Sequence, residues 1–161
     1  MLSVGQMVLY GTNGVCRVED ITVKRIGGNN IEYFVLKPVC AANSTLFIPT
    51  KNDALLAKIR DIVTQDEIRE ILDNLPEAGE WNDDKIERTE AFKATIARAD
   101  CRELVEMIRL LVSHSNALQA EGKQLHLSDE RLLKEAEKMI SEEFSLVLGV
   151  EQDRVIPLVL S

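Results

Sequence analysis

The chain has 161 residues, of which 45% are hydrophobic and 29% are charged. This length suits one ordinary domain or two small ones, and the composition excludes wholesale disorder. The formal net charge of −8 is unevenly distributed: residues 1–60 carry 7 Lys/Arg against 4 Asp/Glu (net +3), and residues 61–161 carry 12 against 23 (net −11). We therefore expect two domains with separate partners, and no binding of nucleic acid by the second domain through electrostatics alone.

The N-terminal third of the chain predicts β structure. Short runs rich in β-branched and aromatic residues are separated by turns of Gly and Asn, the residues that tolerate positive φ. These runs are residues 7–10, 15–23, 31–36 and 45–48. Residues 27–30 (GGNN) predict a hairpin turn, and Pro49 ends the last strand because proline cannot donate to a ladder. The pattern predicts a small SH3/Tudor-like β-barrel over residues 1–52.

Residues 53–161 predict an all-helical domain, which makes the fold class α+β. Thr64 and Glu67 have capping-box spacing at the start of a helix that stops at Pro76, and residues 76–84 predict an exposed loop. Three longer helices follow, over about 84–98, from Asp100 to about Gly122, and from an N-capping Ser128 to a C-capping Gly149. The apolar residues 155–160 have no capping signal, so the pattern assigns them no structure.

Residues able to support enzymatic chemistry are few. His114 and His126 have no Cys or carboxylate partner at metal-ligand spacing, so we interpret them as surface histidines. Cys16, Cys40 and Cys101 are odd in number and far apart, which predicts reduced thiols in a cytoplasmic protein. The opening residues predict no secretory signal, and no run approaches the ~20 apolar residues that a membrane helix needs. We expect no catalytic residues, cofactor, metal, membrane contact or small-molecule substrate.

Three segments together resemble the CarD/CdnL family of bacterial RNA polymerase-binding transcription regulators. Residues 4–15 (VGQMVLYGTNGV) match the family's "vGd-vvY-hGvg" opening, and Trp81 stands where the family keeps a Trp. Residues 127–143, beginning LSDERLL, resemble its "LS-x-x-E-x-x-LL-x-x-A…E" ending. Further matches are Gly28, residues 32–36, Ile48 with Pro49, and Ile59 with Arg60. The likeness covers residues 2 to about 148 in the right order.

The resemblance implies a Tudor-like N-terminal domain that docks on the RNA polymerase β subunit. It also implies a helical domain that touches promoter DNA at the upstream edge of the bubble, where the Trp wedges into the minor groove. The residues assigned to polymerase binding are Lys24, Arg25, Phe47 and Pro49, and those assigned to DNA binding are Trp81, Lys85, Arg88 and Arg131.

Two features depart from the family pattern. Asp83 and Asp84 follow Trp81 where relatives carry basic residues, and their charge repels phosphate; Phe47 stands where some relatives have Arg. A second hypothesis is therefore a protein-only adaptor on polymerase, whose acidic helical domain binds another protein instead of DNA.

Trp81 has two readings, a DNA wedge or a packing anchor. Phe47 is a core residue or a surface residue according to strand alternation. An enzyme with an unrecognised site is the third alternative.

Overall fold

The structure, a computed structural model, describes residues 2–41 and 43–161; Met1 and Ala42, both in the predicted N-terminal domain, lie outside the described residues. The chain forms two compact units, Met1–Ile62 and Val63–Ser161. A sheet-forming N-terminal unit followed by a helical unit confirms the predicted α+β fold class. The predicted boundary after residue 52 differs from the observed one, because a short helix and a further strand between residues 53 and 61 belong to the first unit.

The N-terminal domain is built on a five-stranded antiparallel sheet. Its strands are β1 (Met7–Tyr10), β2 (Val15–Ile26), β3 (Asn29–Pro38), β4 (Leu46–Pro49) and β5 (Ile59–Asp61), with the short helix α1 (Asp53–Leu56) before β5. The strands lie in the order β4-β3-β2-β1-β5, so β4 and β5 are the two edges. The long β2–β3 hairpin turns through Gly27 and Gly28, which both have positive φ (59° and 83°), as a two-residue hairpin turn requires.

One face of this sheet forms the hydrophobic core. Alternate residues of the strands point to it, and the buried ones are Val8, Tyr10, Cys16, Val18, Phe34, Leu36 and Ile48. A register shift between Val18 and Asp20 marks a bulge in β2. Beyond this bulge the hairpin is mostly exposed, with Val23 and Ile26 more than half accessible. The core therefore occupies the base of the hairpin, and its distal half presents side chains to solvent.

The C-terminal domain is helical, and its longer helices pack their apolar stripes together. The helices are α2 (Gln65–Asp73), α3 (Lys85–Arg98), α4 (Cys101–Ala120), α5 (Leu127–Leu148) and α6 (Val155–Leu160). Thr64, Asp84 and Asp100 cap the first three, each accepting a hydrogen bond from a backbone N–H of the first turn. The fully buried core residues include Ile68, Leu104, Val105, Ile108, Leu111, Ala136, Ile140, Phe144, Val155 and Val159.

Two features at the ends of helices differ from the sequence-based expectation. Helix α5 begins at Leu127, with His126 at the N-cap position and no side-chain cap, so the prediction of Ser128 as N-cap is wrong. Gly149 ends α5 in the left-handed conformation, as predicted. The unassigned residues 155–160 form α6, which buries Val155 and Val159 against the rest of the domain.

Glu143, one of the residues of the family-like ending, is a buried connector within the helical domain. It lies on α5 and is only 1% exposed. Its Oε2 accepts a hydrogen bond from the Val63 backbone N–H at 2.8 Å, and its Oε1 lies 3.3 Å from Cys101 Sγ at the start of α4. The carboxylate thus ties the first residue of the domain and the start of α4 to α5.

Candidate polymerase-binding and nucleic-acid interfaces

An aromatic and cationic cluster lies on the outer face of the N-terminal sheet. Phe47 projects from the edge strand β4 and is 42% exposed, whereas its neighbour Ile48 points into the core. Lys24 Nζ lies 3.6 Å from the centroid of the Phe47 ring, a cation–π distance. Tyr33 meets the same ring edge-on at 6.1 Å, and Pro49 lies opposite Tyr33 in the strand register. We call Lys24, Tyr33, Phe47 and Pro49 the outer-face cluster.

The structure separates the two neighbouring basic residues of β2. Successive strand residues point to opposite faces of a sheet, so Arg25 projects from the face opposite to Lys24. Arg25 also lies opposite Asn30, nearer the hairpin turn. Of the four residues assigned to polymerase binding, three lie in the outer-face cluster and Arg25 lies outside it. Tyr33 is the member that sequence analysis missed, because only the strand register brings it beside Phe47.

Trp81 is half-buried on the irregular segment between α2 and α3. The imidazole of His114, from the middle of α4, stacks on its ring at a centroid distance of 3.7 Å and an interplanar angle of 4°. Phe92 of α3 contacts it at 6.1 Å in a tilted arrangement, and Arg88 Cζ lies 4.7 Å from the ring centroid. The indole is therefore anchored by several side chains and retains a partly exposed surface. His114 is a packing partner of Trp81, which corrects its interpretation as a surface histidine.

Arg88 is a buried structural residue, which does not fit its prediction as a DNA-binding residue. Its side chain is 4% exposed and pairs with Asp129, which is 0% exposed. Arg88 Nε donates to Asp129 Oδ1 at 3.0 Å and Nη2 donates to Oδ2 at 2.9 Å, while Nη1 donates to the Asn82 carbonyl at 2.9 Å. A guanidinium held in this way would have to break a buried ion pair before it reached a phosphate.

The two acidic residues that follow Trp81 have different roles. Asp84 is the N-cap of α3, and its Oδ1 accepts hydrogen bonds from the backbone N–H groups of Ile86 and Glu87 at 3.0 and 3.1 Å. Asp83 is exposed and lines the cavity beside Trp81. Asp84 therefore stabilises the helix start, while Asp83 mainly contributes negative charge to this surface.

A cavity of about 430 Å³ lies beside the Trp81 ring, between the start of α3, the second half of α4 and the α4–α5 loop. Its charged side chains are Lys85, Lys123 and Asp83, together with the mutually neutralising pair of Arg88 and Asp129. This gives one net positive charge in a domain that is otherwise strongly acidic. Lys123 also forms an exposed ion pair with Glu121 at 3.5 Å, which contributes little and does not block other contacts.

The cavity brings together predicted and unpredicted residues. Trp81 and Lys85 were assigned to DNA binding from the sequence, and both line it. Lys123 and His126 line it from the α4–α5 loop, and no local pattern in the sequence distinguishes them from other surface residues. Arg131 is exposed in the first turns of α5 but is not among the cavity-lining residues.

Residues 2–41 and 43–161 contain neither a cluster of metal-ligating side chains nor a membrane-spanning helix. Within these ranges no group of three or more His, Cys, Asp or Glu side chains is arranged to hold a metal ion. Over the same part of the chain, no helix is both long and apolar enough to cross a membrane.

The N-terminal domain is a Tudor-like fold of the kind found in polymerase-interacting proteins. Residues 2–63 match the family model of the CarD-like/TRCF RID domain. The N-terminal domain therefore belongs to this family, which confirms over residues 2–63 the resemblance predicted from the sequence. Domains of this family interact with the β subunit of RNA polymerase and are not known as enzymes. The protein is accordingly a transcription-related, RNA polymerase-interacting protein.

Proposed function

We propose that the protein is a bacterial, cytoplasmic transcription regulator that docks on the RNA polymerase β subunit through its N-terminal domain. Once docked, its helical domain makes a weak contact with promoter DNA and changes the lifetime of the open complex. The observation that carries this proposal is the anchored, partly exposed Trp81 beside a cationic cavity, in a chain whose first domain belongs to a polymerase-interacting family.

The outer-face cluster supports the docking half of the proposal. Exposed aromatic residues are among the side chains that most often dominate protein interfaces. Phe47 lies on an edge strand, so a partner can approach it without disturbing the rest of the sheet. Its contacts with Lys24 and Tyr33 restrict the ring before any partner arrives, which reduces the entropy lost on binding.

The cavity surface supports the DNA half. Lys85 and Lys123 provide cations for phosphate, and the Trp81 edge provides an apolar wedge of the kind that minor-groove proteins insert between base steps. Arg131 is exposed and remains a candidate for a further backbone contact. Two or three phosphate contacts give only weak binding at physiological salt. Docking on polymerase would raise the local concentration of DNA enough for such a contact to matter.

The Trp81→Ala variant tests the proposed contact. We expect wild-type protein to change the open-complex lifetime, and Trp81→Ala to reduce this effect roughly tenfold, because an aromatic contact with a base is worth about 1–3 kcal/mol. The measurement is the decay of competitor-resistant open complexes formed with polymerase from the same cell. Trp81→Phe serves as the matched control, since it keeps an aromatic ring, and we expect it to retain part of the effect.

Polymerase capture is measured on the same samples. We expect Trp81→Ala to bind polymerase as wild type does, because Trp81 lies outside the domain of the RID family. If polymerase that carries Trp81→Ala has the same open-complex lifetime as polymerase that carries wild type, the DNA contact is excluded and the docking half of the proposal stays intact.

Asp83→Arg tests the electrostatics of the same surface. At about 8 Å, two charge units changed beside a phosphate alter the interaction by roughly 0.4 kcal/mol after screening, which predicts an effect on lifetime about twofold larger than that of wild type. Asp84→Arg has the same change of charge but loses the N-cap of α3, so we expect it to lower the free energy of unfolding by about 1 kcal/mol. Lifetime and urea unfolding are measured for both variants. A smaller effect on open-complex lifetime with Asp83→Arg than with wild type would contradict a phosphate beside this residue.

The acidity of the helical domain favours one alternative function, a protein-only adaptor. Residues 61–161 carry a net charge of −11, which would attract a basic protein surface. In that case Asp83→Arg would leave open-complex lifetime unchanged and weaken binding of the basic partner. The variant therefore distinguishes the two functions in a single comparison.

A further inference from the structure

The side chain of Arg88 contacts both the Trp81 ring and the main chain that follows it. The guanidinium lies 4.7 Å from the Trp81 ring centroid, and its Nη1 donates to the carbonyl of Asn82, the residue that follows Trp81. The same guanidinium is held by both oxygens of Asp129. A planar guanidinium bound at two points by a carboxylate has a single orientation, so Asp129 fixes the plane that Arg88 presents to the indole.

A role in stability alone explains this pair poorly. Taking two charges out of water costs about as much as their attraction returns, so a buried ion pair is rarely more stabilising than apolar residues of similar volume. The segment from Leu75 to Asp84 contains neither helix nor strand. Trp81 therefore has no regular backbone hydrogen bonds to fix it, and its position depends on the side chains around it.

We propose that Arg88, oriented by Asp129, is the positioning residue for Trp81, and that the pair holds the indole ready for its DNA contact. This inference rests on the proposed function, because the proposed DNA contact is what a fixed ring would assist. The Arg88 side chain does not touch DNA: it restricts the ring and the Asn82 carbonyl at once, and His114 stacks on the ring from α4. A ring fixed in advance loses less side-chain entropy on binding than a mobile one.

The test uses the full-length chain carrying the double substitution Arg88→Met with Asp129→Leu. This variant replaces the pair by apolar residues and removes the contact with Asn82, and we expect it to unfold at a urea concentration near that of wild type. Trp81 is the only Trp of the chain, so its fluorescence reports this site alone. We expect acrylamide to quench the Trp81 fluorescence of the double variant at least twofold more efficiently, and the effect on open-complex lifetime to fall three- to tenfold.

The control is the same change at an exposed pair, Arg98→Met with Glu103→Leu, which joins α3 to α4 away from Trp81. We expect it to leave both Trp81 quenching and open-complex lifetime unchanged. If the double variant at Arg88 and Asp129 fails to fold, Arg88→Lys provides the same readouts, because it keeps the charge and loses the two-point geometry.

The inference would be overturned if the folded double variant at Arg88 and Asp129 showed the same Trp81 quenching and the same effect on open-complex lifetime as wild type. A failure of the proposed function gives a different result. In that case Trp81→Ala has the same effect on open-complex lifetime as wild type, and quenching of the free protein still reports whether Arg88 fixes the ring. Increased Trp81 quenching with an undiminished effect on open-complex lifetime would also overturn the inference, since the ring would then need no positioning for its contact.

Discussion

Replacing Asp129 by asparagine is expected to lower the free energy of unfolding of the helical domain by about 3–5 kcal/mol, the usual cost of removing one partner of a buried ion pair. The amide keeps the shape of the side chain and removes its charge, so the cost arises from the unpaired charge of Arg88, which is 4% exposed. Urea unfolding followed by Trp81 fluorescence measures it, since that residue belongs to the same domain.

Glu130→Gln is the control for this substitution. Glu130 is the next residue of α5 and forms an exposed i,i+4 pair with Lys134 at 3.2 Å. Such pairs are worth about 0.3–0.5 kcal/mol, so the control should be close to wild type. Equal stability of Asp129→Asn and Glu130→Gln would contradict a buried ion pair between Arg88 and Asp129.

Phe47→Asp is expected to weaken binding of the full-length protein to RNA polymerase by at least about 30-fold, which corresponds to the loss of one interface hot spot of about 2 kcal/mol. The substitution removes an aromatic side chain and places a carboxylate beside Lys24. Because Phe47 is 42% exposed and outside the core, we expect little change in stability. Binding is measured by titration of polymerase with labelled protein, and circular dichroism confirms the fold.

Two comparisons make this result specific. Val4→Asp adds the same charge at another exposed apolar residue of the domain, 60% accessible, and should bind as wild type does. Lys24→Glu and Arg25→Glu change the same charge on opposite faces of the hairpin, and we expect the larger loss for Lys24→Glu. Equal binding by Phe47→Asp and Val4→Asp would rule out the outer-face cluster as the docking surface.

Much of the secondary structure could be predicted because its signals are local. Gly27 and Gly28 specify a tight hairpin turn through their positive φ, and Thr64 and Asp100 cap helices through hydrogen bonds that span three residues. Where local signals are weak, prediction missed structure: β5 is three residues long, and α6 lacks a side-chain cap. Both exist because of contacts with distant parts of their own domains.

The α+β class and the polymerase-interacting family of the N-terminal domain could be predicted because they rest on residue types at short spacing, and the same local pattern singled out Trp81 as a candidate. The tertiary structure decided what surrounds Trp81. Arg88 and Asp129 are 41 residues apart, and only the packing of α3 against α5 converts an apparent DNA-binding arginine into a buried partner. His114 and Lys123 reach the same site from α4 and the loop after it. Charges and rings are common on helices, and their roles depend on neighbours that chain order does not reveal.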